Sequence, residues 1–189
     1  QPTFHVETIS YRDDPIWPLV VAGRPADESH TIWAMGMAAD AMALLRAAGL
    51  PVTTAWAPEE SAVHWFVVVV PNNWRDLLPE TSTEAFARKV GEILFSASSL
   101  VFIPKIFLVD EDIDPTKIAD VAWALATRVH PQRRQVVFPE AKGVSLAHCY
   151  EDDEYESGRG PKVVYDTLQL PIGGGRMRHA SFAQGYSEE

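Results

Sequence analysis

The sequence predicts an α/β fold, a layered αβα domain with a mostly central sheet, preceded by a strand and a long connecting helix and followed by an extended C-terminal arm. Three observations carry this. Apolar runs of strand length at Val52–Ala57, His64–Val70 and Lys105–Val109 alternate with helical periodicity at Thr81–Leu94 and Asp114–Arg128, the order that builds helices onto a sheet. The run WFVVVV inside the second of these is apolar throughout, as strands covered on both faces are. The 189 residues are 47% apolar, enough for one good core.

In chain order, Phe4–Tyr11 alternates as FHVETISY and reads as a strand ended by Asp13, Asp14 and Pro15, with a second short strand at Leu19–Ala22. Ser29 is placed to cap a helix over His30–Ala48, which Gly49 and Pro51 close. Its Ala34, Gly36, Ala38, Ala39, Ala41 and Ala43 let another backbone come close, so tight packing is expected there rather than a solvated surface. Thr81 with Glu84 spells a capping box ahead of Phe86, Val90, Ile93 and Leu94. Asp114 and Pro115 read as cap and first residue of a helix to Arg128, with an inward stripe of Ile118, Val121, Ala122 and Leu125. Gln135–Phe138 and Lys162–Leu168 are further strands, and the sheet has room to be mixed rather than wholly parallel. The charged stretch Glu151–Gly160 has nothing to bury and is expected to be a mobile loop. The expected divisions are 1–49, 50–150 and 151–189.

Sixteen basic against twenty-six acidic residues give a net charge of −10, which repels phosphate backbones and anionic lipid. Nucleic acid and membrane partners are therefore disfavoured. The apolar segment Ile32–Leu45 is broken by Asp40 and falls short of the ~20 residues that span a bilayer. The single cysteine, Cys149, excludes an internal disulfide and a multi-thiolate metal site and fits a reducing cytoplasm.

Asp110, Asp112 and Asp114 have the alternate spacing that opens a calcium loop, but Pro115 stands where that loop needs Gly and Val121 where it needs a bidentate Glu. A strand-end turn is the better reading. The histidines lack a zinc spacing, and no elbow supports Cys149 or a serine as nucleophile. His30 is either a hydrogen-bonding residue that fixes the start of its helix or a substrate contact. Trp65 and Trp123 lie in apolar periodic segments and read as core. Gly173–Gly175 lacks the strand and helix that flank a phosphate loop and reads as a turn.

Five segments, GRPADESHTIW (Gly23–Trp33), PKIFLVDEDID (Pro104–Asp114), VAWALATRVHP (Val121–Pro131), GVSLAHCY (Gly143–Tyr150) and PKVVYDTL (Pro161–Leu168), together resemble the C-terminal third of the UbiD family of decarboxylases, in order and without large gaps. The resemblance implies non-oxidative loss of CO2 from aromatic or α,β-unsaturated carboxylic acids with prenylated FMN, in a cytoplasmic homodimer. It also implies that the flavin ligands, the divalent metal and potassium ligands and a glutamate–arginine–glutamate network lie upstream of Gln1. The chain is thus expected to be a piece of a larger enzyme, inactive alone. Residues 1–49 would end the preceding cofactor-binding region, and the N-terminal domains of the same enzyme would be its partners.

Within that resemblance, Trp33, Val101, Phe102, Val144 and Leu146 match substrate-pocket positions and would form an apolar wall. Such a wall has a physical use: a carboxylate between apolar side chains is poorly solvated, whereas the transition state that loses CO2 disperses that charge. Pocket walls and cores share a composition, so ordinary packing stands beside this reading. Arg128 matches a residue near the monovalent-cation and cofactor region. Several relatives carry a lysine near the flavin phosphate where Ser98 aligns, which leaves Lys105 as the other candidate. Trp33 is larger than the aliphatic residue of some relatives, which suggests a small or flat substrate. A reading from a different class is a stand-alone oligomerisation or regulatory module without catalysis.

Overall fold

The structure of the protein, a computed structural model, describes residues 3–19, 23–24, 26–143 and 148–170. Its sheet contains β1 (Thr54–Trp56), β2 (Trp65–Val70), β3 (Lys105–Asp110), β4 (Gln135–Lys142) and β5 (Arg159–Asp166), in the spatial order β1-β2-β3-β5-β4. β2, β3 and β5 are parallel, and β1 and β4 run antiparallel at the two edges. The helices are α1 (Glu28–Ala47), the short α2 (Trp74–Leu77), α3 (Thr83–Leu94), α4 (Ile118–Arg128) and the short α5 (Asp152–Ser157).

Alternation along the strands splits the core into two layers. Phe66, Val68 and Val70 of β2, Ile106 and Leu108 of β3 and Val164 of β5 meet α1 and α3. Val67 and Val69 of β2 with Phe107 and Val109 of β3 face the other way and meet Val121 and Ala124 of α4. A row of rings crosses the second face: Trp65 lies 4.7 Å from Phe107, which stacks on Tyr165 at 5.2 Å. Trp65 packs against this layer as expected. Trp123 does not: it is 40% exposed on the outer side of α4, with the Arg128 guanidinium 5.0 Å from its ring. The helix sits one step from the expected phase, so Ala124 is buried and Ala122 exposed.

Several local expectations shift. Phe4–Tyr11 forms no strand, and Phe4, Val6, Ile9 and Tyr11 are all exposed, because a strand needs a neighbour's backbone groups and none of the five strands pairs with it. Leu19 is likewise outside any strand, and residues 20–22 lie outside the described set. Asp27, not Ser29, caps α1: its Oδ1 accepts from the amides of Ser29 at 2.9 Å and His30 at 3.1 Å, and His30 Nδ1 accepts from the Asp27 amide at 3.3 Å. The His30 amide holds the Asp27 carboxyl below its usual range. Ser82, one residue after Thr81, caps α3 through the Ala85 amide. Asp114 closes a turn onto Thr116, whose hydroxyl and amide hold its carboxyl down at about 2, and α4 begins only at Ile118. The acidic stretch expected as a loop contains α5, with a capping box between Glu151 and Glu154.

The largest revision concerns β5. It lies between β3 and β4, hydrogen-bonded to both, so the sheet continues past the division expected at residue 150. At its carboxyl end Asp166, 4% exposed, takes two bonds from the Arg134 guanidinium at 2.9 and 2.8 Å. Arg134 also donates to the carbonyls of Leu168 and, at 3.0 Å, of Arg128. Arg134→Met leaves a buried carboxylate without its cation, and a loss of about 3–5 kcal/mol is expected. Chemical denaturation followed by circular dichroism reads it.

Candidate functional site

Parallel strands give the sheet an amino edge and a carboxyl edge, and the candidate residues divide between them. Arg128 belongs to the carboxyl edge. Its guanidinium donates to Asp112 at 3.1 and 2.5 Å and to Asp110 at 3.4 Å, and its side chain is 7% exposed. Burial pushes the Asp110 carboxyl up, outweighing both the Gln169 amide that donates to it at 2.5 Å and the attraction of Arg128. Arg75 reaches the Gln169 carbonyl at 2.9 Å, so the segment after β5 is tied back to β3 and α2. Beside this network a hollow of about 540 Å3 is lined by Glu111, Asp112, Asp114 and Asp120. Among the described residues no three His, Cys, Asp or Glu side chains are arranged to hold a metal.

The amino edge holds Val101, Phe102 and Lys105. Val101 is partly buried and Phe102 53% exposed in the turn between α3 and β3, and Lys105 opens β3 opposite Trp65 and Val163. Lys105 and Arg128 therefore stand at opposite ends of β3, separated by ~16 Å of strand. They do not form one phosphate cradle. Ser98 is exposed in the same turn as Val101.

Gly143 packs directly against Val101. Its φ is +89°, and a Cβ there would lie 2.1 Å from the Val101 carbonyl oxygen and 2.5 Å from Val101 Cγ2. Only glycine tolerates both that backbone and that approach. Val144, the next residue in the chain, and Leu146 lie outside the described residues. Val101 also lines a groove of about 610 Å3 between the end of α3 (Gly91, Phe95) and β4 (Phe138, Lys142). Trp33 is 54% exposed on α1 and does not line this groove. α1 buries only the stripe Ala34, Met37, Ala41 and Leu45, so the tight packing expected of this helix is confined to one side. His30 fixes the start of α1 through its bonds with Asp27, the first of its two readings.

One residue at this edge was missed. Lys162 is 1% exposed and points into the α1/α3 core layer in phase with Val164, opposite Phe138 of β4. Its ammonium donates to the Val101 carbonyl and lies 5.4 Å from the Phe95 ring. The signal was available in PKVVYDTL, where strict alternation puts a lysine on the inward face.

Residues 30–167 match the family described as the 3-octaprenyl-4-hydroxybenzoate carboxy-lyase C-terminal domain, and the chain belongs to that family of UbiD-class proteins. It is 37% identical over 188 residues to the pyrrole-2-carboxylic acid decarboxylase of Pseudomonas aeruginosa, covering 98% of this chain and 38% of that protein. It is 34% identical over 168 residues to ferulic acid decarboxylase 1 of Saccharomyces cerevisiae, covering 88% and 33%. The chain thus spans little more than a third of the length of these relatives. Among solved structures its fold is similar to vanillic acid decarboxylase of Sedimentibacter hydroxybenzoicus in open form (TM-score 0.66, 20% identity, 89% of this chain and 34% of that one). It is also similar to the UbiD-class enzyme HmfF of Pelotomaculum thermopropionicum in complex with FMN (TM-score 0.63, 21% identity, 84% and 33%). At such identity these likenesses concern the fold.

Two outcomes are expected at this edge. Gly143→Ala should destabilise by about 3 kcal/mol or more, since it combines a left-handed φ with a backbone clash; thermal melting measures it. Burial lowers the Lys162 pKa from 10.5 to about 8. Below pH 8 both folded and unfolded chains carry the proton and the cost of burying it is full. Between 8 and 10.5 the folded chain gives up its proton first, so stability rises with pH. The stability of wild type relative to Lys162→Met should therefore increase over that window, read from urea midpoints at successive pH values.

Proposed function

We propose that this chain is the substrate-side part of a non-oxidative decarboxylase acting on aromatic or α,β-unsaturated carboxylic acids with prenylated FMN. The observation that carries the reading is membership of the carboxy-lyase C-terminal family over residues 30–167, supported by 37% identity along 98% of the chain to a pyrrole-2-carboxylic acid decarboxylase. In this reading Val101 and Phe102, with Val144, Leu146 and Trp33, form the apolar wall. They withhold water from the substrate carboxylate and so favour the charge-dispersed transition state for loss of CO2.

Lys105 and Arg128 stand at opposite ends of β3 and so do not hold one flavin phosphate between them. The engagement of Arg128 by Asp110 and Asp112 supports a role in tying together the carboxyl edge of the sheet. The flavin, its divalent metal and its potassium are accordingly assigned to parts of the enzyme beyond this chain. The exposed apolar side of α1, with Ile32, Trp33, Met35 and Leu44, suits contact with those parts or with the second subunit of a homodimer. A cytoplasmic location is supported by the single, exposed, unpaired Cys149. No described helix is long and apolar enough to cross a membrane.

The test is CO2 release by the intact enzyme, reconstituted with prenylated FMN, from a panel that includes pyrrole-2-carboxylic and ferulic acids. Activity on such acids is expected, and Phe102→Ala should raise KM by about tenfold, the scale of losing one buried aromatic contact. Trp33→Ala should widen the range of acids accepted; an unchanged profile would remove Trp33 from the wall.

A further inference from the structure

We propose that Lys162 is a positioning residue of the substrate wall: its ammonium, held between the Phe95 ring and the Val101 carbonyl, sets where Val101 and Phe102 stand. This rests on the reading of Val101 and Phe102 as wall residues. The position is one where the strand's alternation calls for an apolar side chain, and Lys162 is 1% exposed. Among the described residues it makes no ion pair. Glu92, Glu140 and Lys142 line the adjoining groove without meeting it, and the Tyr150 hydroxyl donates to the neighbouring Pro161 carbonyl at 3.1 Å. A buried ammonium without a carboxylate is costly, as its lowered pKa of about 8 reflects. A methionine would fill the same space at no such cost, so the lysine contributes little to folding that an apolar residue would not.

What the lysine adds is direction. Its N–H reaches the carbonyl of Val101, and Gly143 packs against that same oxygen so closely that a Cβ would lie 2.1 Å away. The Pro104 carbonyl, three residues on, is held by the Val163 amide at 3.0 Å, next to Lys162 in β5. The turn that carries Phe102 is thus gripped by β5 at two points and by Gly143 at one.

The experiment compares wild type, Lys162→Met and Lys162→Gln in the intact, flavin-loaded enzyme, with pyrrole-2-carboxylate as probe. Lys162→Met is expected to melt no lower than wild type at pH 7, to raise KM about tenfold with kcat nearly unchanged, and to speed amide exchange in residues 98–104. Lys162→Gln keeps a donor and should recover part of both effects. Wild-type KM should climb above pH 8 as the ammonium is lost, a limb absent from Lys162→Met. Unchanged KM and exchange in Lys162→Met overturn the proposal whatever the melting point. Should that variant not fold, a wild-type KM that stays flat from pH 7 to about 9.5 overturns it. Should wild type release no CO2 from the probe, the decarboxylase reading has failed separately, and exchange in residues 98–104 still decides whether Lys162 sets the turn.

Discussion

β5 pairs with β3 on one side and β4 on the other, and most of what positions the site depends on that double pairing. The strand comes late in the chain, yet it fills the gap between β3 and the edge strand, so neither core layer is complete until it docks. Both of its ends carry buried charge. Lys162 near the amino end meets the turn before β3, and Asp166 at the carboxyl end meets Arg134 before β4. The contacts span more than thirty residues of sequence, as Arg134 with Asp166 does at a separation of 32. Such non-local pairing is slow to form.

The two ends use buried charge differently. At the carboxyl edge cations and carboxylates are matched: Arg134 with Asp166, Arg128 with Asp110 and Asp112, and the amides of Leu168 and Gln169 donate to oxygens that Arg134 and Arg128 also engage. Each of these carboxylates has both a cation and at least one further donor or second arginine bond, the kind of pairing that offsets the cost of burying charge. At the amino edge the buried ammonium of Lys162 has a carbonyl and a ring but, among the described residues, no carboxylate. The matched edge is architectural. Val101 and Phe102, the proposed wall residues among the described ones, lie at the unmatched edge, and Arg128 lies at the other.

Much of this was legible in the sequence. WFVVVV, the alternation of runs and the family-like segments led to the α/β class and to the membership now shown. What failed were choices between equivalent local signals. Ser29 and Thr81 are good caps, but Asp27 and Ser82 stand within two residues and have the geometry. FHVETISY alternates as a strand should, yet alternation says nothing about whether a partner strand exists. EDDEYESGRG has the composition of a loop, yet its spacing of Glu151 and Glu154 also makes a capping box. Lys162 was overlooked because lysine is taken as a surface residue, although the period of its own strand pointed it inward. The place of β5 could not have been read at all, since strand order is set by contacts between distant segments.

The site's incompleteness follows from the same geometry. Desolvating a carboxylate requires apolar surface on more than one side, and the described residues supply a single side: Val101 is partly buried in the groove wall, while Phe102 remains 53% exposed and Trp33 54% exposed on a separate element. Neither of the latter two finds enough of this chain to enclose a ligand with Val101. The apolar outer side of α1 has the same property, being suited to burial and unburied here. On the proposed wall reading closure comes from a second body, and the relatives are more than twice as long as this chain. The contribution of these residues is then shape rather than reactivity. On the proposed reading Val101 and Phe102 offer an apolar surface held by Gly143 and Lys162, to which another part of the enzyme would bring the cofactor and the proton donor.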